Sequence, residues 1–259
     1  MKAKGLLILI TAVIVACVVT YYISSQIYVT PSIDDIWVIN LDKDADRMVY
    51  MQAQQARLPH PIQRWRAAYG KEEEREHIAR YDGVQMIITK SGDAEENKKS
   101  SKVLNKPGEV GCWLSHKRLL THLHKGNYPP NFGHLICEDD IEVPHDFMAR
   151  WNRVRKTIPK DWDMIYLGIG EPHGTRINEH LLRWRNDRIE GGNWGTYAYM
   201  VRHKSIGPIL DQLVLMGGPI DLQYYKMLGH MNIYIVNPDL LVVNLDDFKS
   251  SIDIQQQRW

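Results

Sequence analysis

The stretch His134-Leu135-Ile136-Cys137-Glu138-Asp139-Asp140-Ile141-Glu142-Val143 constrains the fold of this 259-residue chain more than any other. The short apolar run after Gly133 reads as a buried strand, and it ends in three adjacent carboxylates before Pro144. Such a strand needs a sheet around it and carries negative charge to that sheet's edge. At the carboxyl end of a strand in an open α/β sheet, clustered Asp and Glu oxygens suit a hard divalent cation that holds a phosphate. Glu72-Glu73-Glu74 carries no such implication, because it sits in a charged segment and reads as the solvated first turn of a helix from Glu72 to about Tyr81.

Around this strand the chain alternates strands and helices. Ile36–Leu41 is a β-rich apolar run, followed by a polar turn and a helical pattern through about Arg57. That turn supplies Asn40, Asp46 and Arg47; Arg47 suits a diphosphate, or equally a helix-surface ion pair with Asp44 or Asp46. Gln63–Ala67 predicts a second short strand, and the polar run from Ser91 to Lys102 predicts a surface loop. Pro107 opens a helix running to about His124, with Val110, Leu114, Leu119 and Leu123 on its apolar face. Gly111 and Cys112 inside it let another element pack closely, and Ser115 and His116 follow one turn on.

Further along, a helix over Asp146–Arg155 and a strand over Asp161–Gly168 are predicted, then a loop from Glu171 to Asn178. Thr196–Val201 is a strand rich in aromatic and β-branched residues, and a helix follows from about Lys204 to Leu215. The turn Gly217–Asp221 delivers one carboxylate, Asp221, which serves either as a helix cap or in chemistry. Ile233–Val236 and Leu240–Val243 are the last strand-like runs. Strands alternating with helices predict an α/β mixed sheet with helices on both faces.

A formal net charge of +1 with no long basic run argues against a nucleic-acid partner. The three cysteines, Cys17, Cys112 and Cys137, match no zinc-ligand spacing; Cys17 lies in the apolar N-terminal segment, so only Cys112 and Cys137 could pair in the domain, and buried free thiols are the expected state. Gly5–Ile23 is uncharged over 19 residues, enough at 1.5 Å each to cross a hydrocarbon core of about 30 Å; the alternative is a cleaved secretory signal peptide, against which the run exceeds the usual apolar region of about 7–15 residues. Lys2 and Lys4 precede it, whereas the first charges after it are Asp34 and Asp35, so the positive-inside bias leaves the N-terminus cytoplasmic. The expected organisation is a cytoplasmic 1–4, a transmembrane anchor over 5–23, a stem over 24–33 and a single domain over 34–259. That domain then faces the ER or Golgi lumen in a eukaryote, or the periplasmic side in a bacterium.

Seven motifs in order carry a wider resemblance. They are Val38-Ile39-Asn40-Leu41-Asp42 with Asp46-Arg47; Pro107-Gly108-Glu109-Val110-Gly111-Cys112 with Leu114-Ser115-His116; Glu138-Asp139-Asp140; Asp163 with Tyr166-Leu167-Gly168; Thr196-Tyr197-Ala198-Tyr199; Pro219-Ile220-Asp221; and Ser251-Ile252-Asp253-Ile254. Together they resemble glycosyltransferase family 25, which groups lipopolysaccharide glycosyltransferases with collagen β-galactosyltransferases; Ile252, between Ser251 and Asp253, departs from the family pattern. The resemblance implies a GT-A-like nucleotide-sugar-binding fold and a UDP-sugar donor, with galactose the expected sugar. It also implies a divalent metal, Mn²⁺ or alternatively Mg²⁺, held by the acidic triplet, and inverting transfer to a hydroxyl of a glycan or protein acceptor; within the triplet Asp139 and Asp140 are the expected ligands, since strand alternation turns Glu138 the other way. Asn40, Arg47, Ser115 and Glu138 are then donor-binding candidates, and Asp221 and then His116 are candidates for the base. The rival expectation is a catalytically silent member that binds carbohydrate.

Overall fold

The computed structural model describes residues 11, 13–14, 30–86, 107–185, 193–244 and 246–248. The chain divides into two units, 1–30 and 31–259. In the first, Thr11, Val13 and Ile14 are helical, and the remainder of the expected anchor over 5–23 lies outside the described residues. Among the described residues no helix is long and apolar enough to cross a membrane. The expected loop over 91–102 and the Ser251–Ile254 motif also lie outside them.

The second unit is built on eight strands: β1 (Asp35–Asn40), β2 (Ile62–Arg66), β4 (Gly133–Glu138), β6 (Met164–Gly170), β7 (Thr175–Asn178), β8 (Leu181–Arg183), β9 (Trp194–Arg202) and β11 (Ile233–Val236). Short pairs are added by β3 (Gln85–Met86) with β10 (Leu215–Met216), and by β5 (Ile141–Glu142) with β12 (Val242–Val243). The main order is β2-β1-β4-β9-β6-β11-β8-β7. Strands β2, β1 and β4 are parallel, β9 runs antiparallel between β4 and β6, and β11 is parallel to β6, so the sheet is mixed.

Helices α1 (Ala45–Ala53), α2 (Pro107–His124), α3 (Phe147–Val154), α4 (His203–Gln212) and α5 (Ile220–Lys226) accompany the sheet. Successive side chains of a strand point to opposite faces, and here both faces are buried. Ile36, Val38, Leu135, Cys137, Ala198 and Met200 share one core with Met48 and Met51 of α1 and Phe147 and Trp151 of α3. Trp37, Ile39, Ile136, Tyr199 and Val201 belong to the other, with Trp113, Leu114 and Leu120 of α2, Ile206 of α4 and Tyr224 of α5. The same alternation sends Glu138 to the α2 side.

Three expectations need correction. The helix expected over Glu72–Tyr81 shrinks to one α-turn at Arg75–His77 followed by a π-turn at Ile78–Asp82. Arg118 of α2 grips the Glu73 carboxylate at 2.5 and 2.9 Å and that of Asp82 at 2.9 and 2.7 Å, so this segment is fixed by ion pairs at both ends rather than solvated as a helix. The segment expected as a loop over 171–178 holds edge strand β7, whose polar side chains hid it. The helix expected to reach Leu215 ends at Gln212, because Leu215 pairs with Gln85 in β10.

Glycine sets how close the loop after β2 approaches α2. A Cβ on Gly70 would stand 1.7 Å from the Pro107 carbonyl oxygen, and one on Gly111 would stand 2.6 Å from that of Ala68. Ser115 fastens the same contact: its hydroxyl accepts the Ala68 N–H at 2.8 Å and donates to the Gly111 carbonyl at 2.6 Å. Overpacking against backbone cannot be relieved by a rotamer change. Gly111→Ala is therefore expected to lower the unfolding free energy by about 2 kcal/mol in urea titration. Gly229→Ala, which meets nothing within 4 Å, is the control and should change it little.

Candidate active site

From β1 the chain passes to β2 on one side, while β4 flanks β1 on the other. The crevice at the carboxyl ends of β1 and β4 is thus a topological switch point, the place where open α/β sheets bind ligands. Parallel register brings Asn40 level with Arg66 and Ile39 level with Glu138. Position along each strand therefore delivers Asn40, Glu138, Asp139 and Asp140 to one edge.

Arg47, in the first turn of α1, reaches across the crevice. Its Nη1 donates to Asp139 Oδ1 at 3.0 Å and to Asp140 Oδ2 at 3.2 Å, and its guanidinium lies 5.0 Å from the centre of the Phe248 ring. Asn40 Nδ2 donates to the other oxygen of Asp139 at 2.7 Å and to the Asp44 carbonyl at 2.8 Å, while its Oδ1 accepts from Arg64 Nε at 2.8 Å. Asp139 is thus engaged at both oxygens. Asp140 Oδ1, by contrast, is buried with no hydrogen-bond partner among the described residues.

Burial raises the pKa of Asp139 despite its bonds to Asn40 and Arg47. Burial, reinforced by the charges of Glu138 and Asp139 and opposed by Arg47, pushes Asp140 up to about 7. Arg47 loses solvation too, yet the two carboxylates hold its pKa above the usual arginine value.

On the α2 side, Glu138 Oε1 accepts the Thr196 hydroxyl at 2.8 Å and lies 3.9 Å from His116 Nε2. His116 is 1 % exposed; its Nδ1 meets the Tyr199 hydroxyl at 2.9 Å, and that hydroxyl meets Tyr224's at 3.2 Å. Asp221 lies in the first turn of α5, where Pro219 is the N-cap, and its oxygens accept the N–H of Gly195 at 2.8 Å and of Leu222 at 2.7 Å.

A cavity of about 90 Å³ is lined by Arg47, Cys112, Ser115, His116, Glu138, Asp139 and Asp140 among others. It shares Leu41, Ala67 and Ala68 with a cleft of about 700 Å³ that Lys43, Arg66, Tyr69 and Arg118 help to line. The fold thus brings Arg47, Ser115, His116, Glu138, Asp139 and Asp140 to one cavity. Asn40 lies buried behind Asp139, and Asp221 is not among the lining residues. Sequence reasoning missed Thr196 as the partner of Glu138, Tyr199 as that of His116 and Tyr224 behind Tyr199, and no local spacing could have found them.

Residues 33–173 match the profile of the family described as glycosyltransferase family 25 (LPS biosynthesis protein), more than half of the chain. The chain belongs to glycosyltransferase family 25. The enzyme class expected from the sequence is therefore the class of its family. This family 25 chain is also similar to procollagen galactosyltransferases 1-A and 1-B of Xenopus laevis, at 24% and 23% identity over 183 residues. The match covers 70% of this chain and 28% of each relative, so the chain spans under a third of the length of these relatives.

Asp140 makes the stability of the protein pH-dependent in a defined direction. Its folded pKa lies above the unfolded value of about 3.9, so between about pH 4 and 7 the folded state binds more protons, and its ionisation costs stability as pH rises. Without added metal, Asp140→Asn is expected to raise the melting temperature at pH 7.5, by stabilisation on the order of 1 kcal/mol. The gain should vanish towards pH 4.5, which differential scanning calorimetry at both pH values would show.

Proposed function

We propose that the protein is a metal-dependent glycosyltransferase of GT-A-like fold that moves a sugar, galactose first among the candidates, from a UDP-sugar to a hydroxyl of a glycan or protein acceptor with inversion. The observation that carries this reading is the cation-poor floor of the cavity: Asp139 and Asp140 share Arg47, and Asp140 Oδ1 is left buried without a hydrogen bond among the described residues. A buried acceptor of that kind is costly until a cation meets it.

The residues present fit a divalent ion. All-oxygen donors suit Mn²⁺ or Mg²⁺, and Asp140, with Asp139 beside it, would hold it. The chemistry such an ion supplies is neutralisation of the charge that builds on a departing diphosphate. Arg47 lies at the same place and orients phosphate oxygens, while Asn40 holds Asp139 in position. The larger cleft alongside has room for a nucleoside, with Lys43 and Arg66 among the residues of its wall.

Inverting transfer needs a base opposite the leaving group. Asp221 takes that role in this reading: two backbone N–H groups fix its carboxylate, leaving lone pairs for an acceptor hydroxyl. His116, sealed in the wall, supports the site through Glu138 and Tyr199. Membrane anchoring through residues 5–23, with the catalytic unit on the far side from Lys2 and Lys4, is part of the same proposal and is supported by the uncharged sequence of that stretch. The similarity to procollagen galactosyltransferases supports galactose as the sugar to test first.

Ligand that binds only the native state raises the melting temperature by mass action. UDP or UDP-galactose with Mn²⁺ is expected to stabilise the purified protein, and Asp139→Asn combined with Asp140→Asn should abolish the shift. Absence of any response to a panel of nucleoside diphosphates and nucleotide-sugars, from folded wild-type protein, would contradict the reading.

A further inference from the structure

The cavity holds a second set of donor atoms, chemically unlike the carboxylate pair. Cys112 and His116 are four residues apart on α2 and so lie on the same helix face. Glu138, at the end of β4, faces them across the cavity wall. One ligand atom from each of the three lies within 4.8 Å of the others.

Two further observations separate this cluster from a chance meeting of polar groups. His116 is 1 % exposed, and its Nε2, 3.9 Å from Glu138 Oε1, has no hydrogen-bond partner among the described residues. The groups behind the cluster are already arranged. An ion on Nε2 requires the ring hydrogen to sit on Nδ1, where the Tyr199 hydroxyl at 2.9 Å accepts it. Tyr199 is held in turn by Tyr224 at 3.2 Å, and Glu138 is held by the Thr196 hydroxyl at 2.8 Å. Outer hydrogen bonds of this kind orient metal-binding histidines and carboxylates.

We propose that Cys112, His116 and Glu138 form a site for a borderline-soft divalent ion of the zinc class, separate from the hard-cation position at Asp139 and Asp140. Thiolate and imidazole select such ions over Mg²⁺ and Mn²⁺, whereas all-oxygen donors do the reverse. Tetrahedral zinc with sulfur at about 2.3 Å and nitrogen at about 2.0 Å sets its ligands roughly 3.5 Å apart, so the three atoms need to draw in by about 1 Å. Binding releases the Cys112 thiol proton to solvent, and no redox step is involved. Three protein ligands leave one tetrahedral position open, and all three residues line the cavity. The sequence spacing did not reveal the site because its third ligand comes from another element.

Cobalt(II), a spectroscopic stand-in for zinc, tests the proposal on the full chain under a non-thiol reductant. The wild-type protein should bind one equivalent with a sulfur-to-cobalt charge-transfer band and the intense visible absorption of tetrahedral cobalt, both removed by added Zn²⁺. Cys112→Ser should abolish the charge-transfer band, and Glu138→Gln should weaken cobalt binding at least tenfold. Asp139→Asn with Asp140→Asn should leave the spectrum intact even where it abolishes nucleotide binding, so failure of this site and failure of the transferase reading give different results. A wild-type protein that shows no thiolate band, or a band that persists in Cys112→Ser and disappears in Cys137→Ser, would overturn the proposal.

Discussion

Three carboxylates in succession cannot end a buried strand without positive charge beside them. At an effective dielectric of about 20, two like charges 4 Å apart repel by about 4 kcal/mol, and burial adds to that cost. Arg47 answers the repulsion by bonding Asp139 and Asp140 at once, and Asn40 takes the remaining oxygen of Asp139. Much of the unit serves to hold these groups in register: β1 supplies Asn40, α1 supplies Arg47, and β4 supplies the acids. The backbone of Asn244 closes the arrangement by donating to the Asp140 carbonyl at 2.7 Å. The arginine compensates only in part, which is why Asp140 keeps an elevated pKa and an unpartnered oxygen. A site left short of positive charge is a site suited to a cation and a phosphate.

The same strand end divides its chemistry between two faces. Period-two alternation turns Glu138 towards α2, His116 and Thr196, while the chain then bends and presents Asp139 and Asp140 to α1. One short sequence therefore serves a carboxylate-rich position and a mixed sulfur, nitrogen and oxygen position. The direct backbone contact at Gly70 and Gly111, fastened by Ser115, brings the loop after β2 against α2 and lines the small cavity, which shares Leu41, Ala67 and Ala68 with the larger cleft. Ser115 thus shapes the cavity wall with its hydroxyl committed to the fold.

The elements nearest the site were the most legible. The apolar runs at Ile36 and His134 lie in strands buried on both faces, and α2 is helical over the described Pro107–His124, ending where the sequence predicts. Short or edge elements were hidden. Strand β7 is a polar Thr175-Arg176-Ile177-Asn178 segment at the rim of the sheet, and the segment from Glu72 to Asp82 follows ion pairs to Arg118, 36 residues beyond Asp82 and 45 beyond Glu73, rather than its own helix propensity. Long-range partners explain the gaps at the site as well. The sequence left Arg47 between a surface ion pair and a phosphate contact, and the fold sets it between Asp139 and Asp140, some ninety residues away. The family itself was legible because its signal is an order of motifs, which needs no contact map.

The most direct measurement of the central claim is a crystal structure of the protein with UDP and Mn²⁺ bound. The diphosphate is expected at the carboxyl ends of β1 and β4, with manganese bound to an oxygen of Asp140 and Arg47 turned to a phosphate oxygen. UDP bound elsewhere on the unit, with Arg47 still bridging Asp139 and Asp140 and no metal at Asp140, would contradict that claim.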